Sequence, residues 1–119
     1  MMRIKKFEGF NHRVPKEVSF DDCRRKREIH GTEAFTKKEI DFFKKLEHDY
    51  VGVEIAQSLA LSRIHISTPH TTIEVVKLRD DWYYVYDFTN QFNAICDEWD
   101  EVLGFLETKT KSLIKRNNI

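Results

Sequence analysis

Two histidines and four hydroxyl-bearing residues fall within eight positions in Ile64-His65-Ile66-Ser67-Thr68-Pro69-His70-Thr71-Thr72. At strand spacing His65 and Ser67 share one face, and the bend at Pro69 brings His70 back toward them, which sets a general base beside a hydroxyl. That arrangement is the starting point of a small hydrolase. Serine and threonine are also what a strand end and a turn ordinarily contain, and no third group follows from the sequence. The same histidines with Cys96 have the donor types that zinc prefers. No CxxC, HExxH or Asp-rich calcium loop accompanies them, so neither a metal nor a cofactor is expected, and Cys96 reads as a small buried hydrophobe.

A second group is acidic. Asp97, Glu98, Asp100 and Glu101 have the chemistry of a magnesium site or of paired acids, and the turn pair Asp80-Asp81 adds two more carboxylates. All four of the first group fall in one helical first turn, where the helix dipole accounts for them. A third group is basic: Arg24-Arg25-Lys26-Arg27, with Arg13, Lys16, Lys37 and Lys38 able to extend a phosphate-neutralising surface. Four successive cations on a short helix point to all of its sides, and Asp21, Asp22 and Glu28 bracket them. Nucleic-acid binding through this helix therefore stands as an alternative rather than as the leading reading.

The elements that must position these groups follow from periodicity. Ile73 to Arg79 alternates at a period of two; Trp82, Tyr84, Tyr86 and Phe88 form an aromatic stripe on one side of the next run; and Phe92, Ala94 and Cys96 mark a third. The stripe is expected to face the core, which leaves Tyr83 and Tyr86 as surface contacts for a partner. From Asp97, as N-cap, the period becomes helical through Trp99, Val102, Leu103, Leu106, Leu113 and Ile114. Ser19 and Asp22 frame a short helix that ends at His30-Gly31. Thr36 and Glu39 form a capping box, with Phe35 and Ile40 at staple spacing, for a helix from Lys37 to about Glu47. Residues 50–62 alternate like a strand but also share a helical face. The β-branched Val51, Val53 and Ile55, together with Gly52, favour strand, and a further strand runs through Arg63 to Ile66.

The expected architecture is an α+β domain: a meander of about five antiparallel strands covered by a C-terminal helix, with two short N-terminal helices. Residues 1–17 read as an N-terminal arm and 18–119 as the single domain. With 40% apolar, 13% aromatic and 34% charged residues, the composition is that of a globular chain rather than a disordered or membrane one. No run reaches the ~18 apolar residues of a membrane span, the start lacks a secretory h-region, and two distant cysteines make no disulfide framework; a cytoplasmic protein with reduced thiols is expected. Net charge is zero, yet residues 1–48 hold thirteen Lys and Arg against nine Asp and Glu, which leaves the remainder acidic.

The segment Met2-Arg3-Ile4-Lys5-Lys6-Phe7-Glu8-Gly9-Phe10 resembles the Lys-rich, Phe-Glu-x-Phe starts of small uncharacterised tailed-bacteriophage proteins. The resemblance covers about ten residues and implies a phage origin with an accessory or packaged role, hence the host cytoplasm. Read for itself, it places Ile4, Phe7 and Phe10 at helical spacing beside basic residues, suited to docking on this protein's own sheet or in a partner's groove. The leading reading is a small non-enzymatic protein that binds another protein. Phe7, Phe10, Arg24, Arg25, Lys26, Arg27 and Tyr83 are the contact candidates. A meander edge offers backbone pairing, and self-association is a further outcome.

Overall fold

Residues 12–79 and 82–116, apart from the side chains of Arg27 and His30, are described by the structure, a computed structural model. Phe7, Phe10, the Arg27 side chain and the Asp80-Asp81 turn thus lie outside the described residues.

Local signals set the helix starts. Ser19 Oγ accepts the Asp22 N–H at 3.1 Å ahead of α1 (Phe20–His30), and Gly31 follows it at a φ of 70°. Before α2 (Lys37–Asp49), Thr36 Oγ1 accepts the Glu39 N–H at 3.2 Å while Glu39 Oε1 accepts the Thr36 N–H at 2.8 Å, so the capping box closes in both directions. The third helix, α3 (Trp99–Thr110), begins one residue later than its pattern predicts. The Asp97 N–H is donated to Glu101 Oε1 at 2.7 Å, and Glu98 rather than Asp97 holds the cap position. Leu113 and Ile114 fall past the helix end, where the Ile114 carbonyl accepts the Val51 N–H at 2.9 Å.

Five strands form one antiparallel sheet in sequence order: β1 (Glu54–Gln57), β2 (Arg63–Ser67), β3 (Thr72–Arg79), β4 (Trp82–Asp87) and β5 (Phe92–Cys96). This is the expected meander, and the chain is a small α+β domain. The stretch from Val51 to Leu61 is corrected to four strand residues between turns. Gly52, at a φ of 83°, turns the chain before β1, and the Ser58 N–H bonds the Arg63 carbonyl at 3.0 Å after it.

Register divides the sheet into two faces. Ile64, Ile66, Ile73, Val75, Lys77, Tyr83, Val85, Asp87, Ala94 and Cys96 share one face, beneath α2 and α3. The main core is here, closed by Phe35, Phe43, Val102, Phe105 and Leu106. The aromatic stripe is therefore on the other side from the one predicted. Trp82, Tyr84 and Tyr86 join Cys23, Val76 and Leu78 in a smaller cluster under α1, and Phe88 remains 44% exposed. The stripe is thus enclosed in part, in the smaller of two cores, and because both faces of the sheet carry helices a stripe of rings does not single out the main one.

Part of the predicted arm belongs to the domain. Arg13 N–H donates to Asp100 Oδ2 at 2.9 Å, His12 Nδ1 meets Asp100 Oδ1 at 2.7 Å, and Arg13 Nη1 bonds Glu98 Oε1 at 2.7 Å. The strap lies so close to α3 that a Cβ on Gly104 would sit 1.7 Å from the Arg13 carbonyl oxygen. Residues 17 and 18 then run along the outer side of β5, with the Val18 N–H on the Asn93 carbonyl at 2.8 Å and Glu17 bridging Ala94. At the opposite edge, the Ile55 N–H is capped by Glu47 Oε2 at 2.9 Å. Each edge thus has a device that blunts backbone pairing.

Candidate functional site

Charged and hydroxylic residues on the α2/α3 face are fully engaged with one another. Glu39 receives the Lys77 ammonium at 2.9 Å and the Tyr83 hydroxyl. Burial pushes the Glu39 carboxyl up, but the bonds from Tyr83, from the Thr36 N–H and from Lys77 outweigh it and hold the group below the usual carboxylate range. Asp87 receives the Thr71 hydroxyl, the Asn90 amide at 2.7 Å and the Lys109 ammonium at 2.6 Å. Here too burial acts upward, and the bonds from Lys109, Thr71 and Asn90 win. Tyr83, expected as a surface contact, is corrected to a core residue. It is 1% exposed, between Phe35 and Trp99 at ring separations of 6.3 and 5.4 Å, because register turns it inward to Glu39.

The catalytic candidates separate in the same way. His65 and Ser67 do share a strand face, but it is the face of Tyr86 and Phe88, whereas Asp87 points to the opposite face. The carboxylate that meets His65 is Glu74, at 3.0 Å from Nε2. His70 sits in the β2–β3 turn with its backbone N–H on Thr68 Oγ1 at 3.2 Å. Among the described residues no group of three or more His, Cys, Asp or Glu is placed to hold a metal ion. The acidic turn at α3 is occupied instead: Glu98 and Asp100 bind the His12–Arg13 strap. Both cysteines are free and buried on opposite faces of the sheet, and burial, with Asp22 nearby, pushes the Cys23 thiol up to about 12.

The basic helix is partly neutralised. Arg24 pairs with Asp21 at 3.6 Å, the Lys26 ammonium lies 4.7 Å from the centre of the Trp82 ring, and Arg25 and Lys26 line an open cleft of about 540 Å³ together with Asp22 and Asp97. A second basic cluster, which the sequence pattern does not flag, gathers Lys45, His48, Lys115 and Arg116 around Asp49 near the end of α2. Its cations complement the helix C-terminus.

What remains is the part of the sheet that α1 leaves uncovered. Four rings run across it in line: Phe20 to Tyr86 at 6.4 Å, Tyr86 to Phe88 at 4.5 Å, and Phe88 to His65 at 6.1 Å. Phe20 is 54% exposed and Phe88 44%. Beyond His65 the line meets a small cleft of about 200 Å³ at the β1–β2 end, lined by Ala56, Gln57, Ser58, Arg63 and His65. The apolar tip Leu59 follows Ser58 and is fully exposed. Two residues later in the chain, Leu61 adopts a left-handed φ of 57°, held by bonds to the Ser58 carbonyl and from the Phe35 N–H.

Of these residues the sequence pattern marks His65 as a site candidate, but not Arg63, Ser58, Phe20 or Phe88. The available signal is the polar side of β2: Arg63, His65 and Ser67 at period two, on a strand whose Ile64 and Ile66 are buried. No helix among the described residues is long and apolar enough to cross a membrane. No family model matches the chain, nor does any curated protein or solved structure.

Proposed function

We propose that this chain is a binding protein that engages another protein through the part of the sheet that α1 leaves open. The observation that carries the reading is a run of ring contacts from Phe20 on α1 through half-buried Tyr86 to Phe88 and His65, in which Phe20 and Phe88 are exposed. Large rings presented side by side give contact area with little side-chain entropy to lose, which is the usual make-up of an interface anchor. The cations of α1 flank this surface already shared with Asp21, Asp22 and Trp82, so they serve it as a polar rim more readily than as a phosphate-tracking groove. A phage-encoded accessory role fits the same reading and rests on the N-terminal resemblance.

The test is photo-crosslinking from position 67, an exposed site on the His65 side of the sheet, in cell extract, with and without nuclease, read by mass spectrometry. A discrete protein adduct that survives nuclease and is lost in a Phe20→Ser/Phe88→Ser chain is the expected result. Adducts that vanish with nuclease, or that ignore both rings, overturn the reading.

A further inference from the structure

On the closed side of the molecule, α2 and α3 leave between them a groove of about 160 Å³. Leu46 and Leu106 are buried in it, while Phe42, Tyr50 and Leu103 are half-buried and keep apolar surface in water. A cavity of about 150 Å³ lined by such side chains holds one benzene ring, so the groove has room for a single aromatic side chain. His12, where the described chain begins, lines the same groove. The strap reaches it along a defined path. Residues 17 and 18 lie on the outer side of β5, the Arg13 carbonyl lies against Gly104 of α3, and His12 stands on Asp100 at the groove. Followed backward, the chain crosses α3 from the sheet edge and comes down toward α2.

We infer that the side chain of Phe10 fills this groove, so that the residues before the strap dock on their own domain. Phe10 is two residues ahead of His12, and two residues of fully extended chain span at most about 7 Å, so covalent linkage alone keeps the ring within reach. A tether that short also gives the ring an effective concentration that a ring from another molecule does not match. Burial of the ring would cover the water-facing sides of Phe42, Tyr50 and Leu103 together with its own. Charge agrees with this placement. Arg3, Lys5 and Lys6 outnumber Glu8 among residues 1–11, and α3 carries Asp100, Glu101 and, at the groove, Glu107. The groove lies on the opposite side of the sheet from the proposed partner surface, so neither reading depends on the other. Docking of Phe10 takes it out of the partner contacts and leaves those to the α1 side.

The experiment is a double-mutant cycle on the full chain, paired with a probe of the ring itself. Phe10→Ala should lower the melting temperature by about 5 °C, a ring returned to water in a chain of this size. Leu103→Ala should lower it as well, and the double variant should lose clearly less than the sum, because each change removes the other's contact. With 4-fluorophenylalanine at position 10, the fluorine resonance should stand away from its position in urea and move back toward it in Leu103→Glu. Both signatures should be unchanged on hundredfold dilution. A melt that ignores Phe10→Ala, losses that simply add, or a fluorine resonance already at its unfolded position would each overturn the inference. So would signatures that fade on dilution, which would place the ring in the groove of a second copy.

Discussion

The two faces of this sheet carry similar polar inventories and treat them differently. Beneath α2 and α3, each buried charge closes on an opposite charge: Lys77 on Glu39 and Lys109 on Asp87, with Tyr83, Thr71 and Asn90 filling the remaining acceptor sites. On the α1 face, Arg63, His65 and Glu74 are only partly matched, and Phe20 and Phe88 have water on one side. Complete networks in a low-dielectric interior hold the fold in one arrangement, whereas partly matched charges at a surface are screened by water and hold it less. The closed face is where substitutions should unfold the protein, and the half-open face is where they should change only what it binds.

The largest effect should come from the most completely enclosed charge. Asp87→Asn leaves the Lys109 ammonium facing a neutral amide and should cost about 3 kcal/mol in urea unfolding. A second change, Lys109→Met, should return part of that loss, since it removes the orphaned charge. If Asp87→Asn is neutral, the closed face is not held by its network and the contrast between the faces collapses.

Acid titration sharpens the same contrast. Asp87 and Glu39 are both held below the ordinary carboxylate range, so the stability they contribute is fully present above about pH 5 and is lost as pH falls through their lower folded-state values. Stability should therefore be flat through the neutral range and decline in acid, with a shallower decline in Asp87→Asn. An equally steep acid limb in that variant would assign the decline to other carboxylates.

Next in size is the cover of the closed face. Gly104→Ala places a methyl against the Arg13 carbonyl at 1.7 Å, backbone against helix, so the strap must lift. A cost of about 1–3 kcal/mol is expected from the forced shift, together with the loss of the His12 and Arg13 bonds to Asp100 and Glu98. Hydrogen exchange at the Arg13 amide reads this directly. An unchanged rate would mean that the strap is not clamped as described.

How much of this was legible beforehand depends on the range of the interaction involved. The capping box at Thr36, the Ser19 start of α1, the Gly31 stop and the strand boundaries of β3 to β5 were readable, because each is decided within a few residues. The meander was readable for the same reason: neighbours in sequence are neighbours in the sheet. The choice of core face was not. Trp82, Tyr84 and Tyr86 outweigh Tyr83, Val85 and Asp87 in apolar area, and only the docking of α2 and α3 decides which set is enclosed. Asp87 and Lys77, polar residues on the winning side, mislead any count of hydrophobicity because their partners, Lys109 and Glu39, come from distant helices. The cleft at the β1–β2 end was legible in the same measure: His65 stood out by type, while Arg63 and Ser58 come beside it only through the β1–β2 turn.

The smallest expected effect on folding is the most telling for the comparison. Phe88→Ser removes a ring that is 44% exposed just past the end of β4 and whose aromatic neighbours among the described residues are Tyr86 and His65. Little apolar area returns to water, so the melt should move by no more than about 0.5 kcal/mol in stability, the range of ordinary surface changes. Partner capture from the same surface should nevertheless fall sharply, since an anchor ring owes its worth to the water it excludes when the complex forms. Val85→Ser, three residues earlier, within β4 and on the enclosed face, is the matched control and should do the reverse to stability, because it puts a hydroxyl and a void where Val85 is completely buried. If the two serines cost the same in the melt, the faces are energetically alike and the rings of the α1 side belong to the core. If Phe88→Ser is silent in the melt and silent in capture, the open rings are surface without a partner, and the binding reading falls.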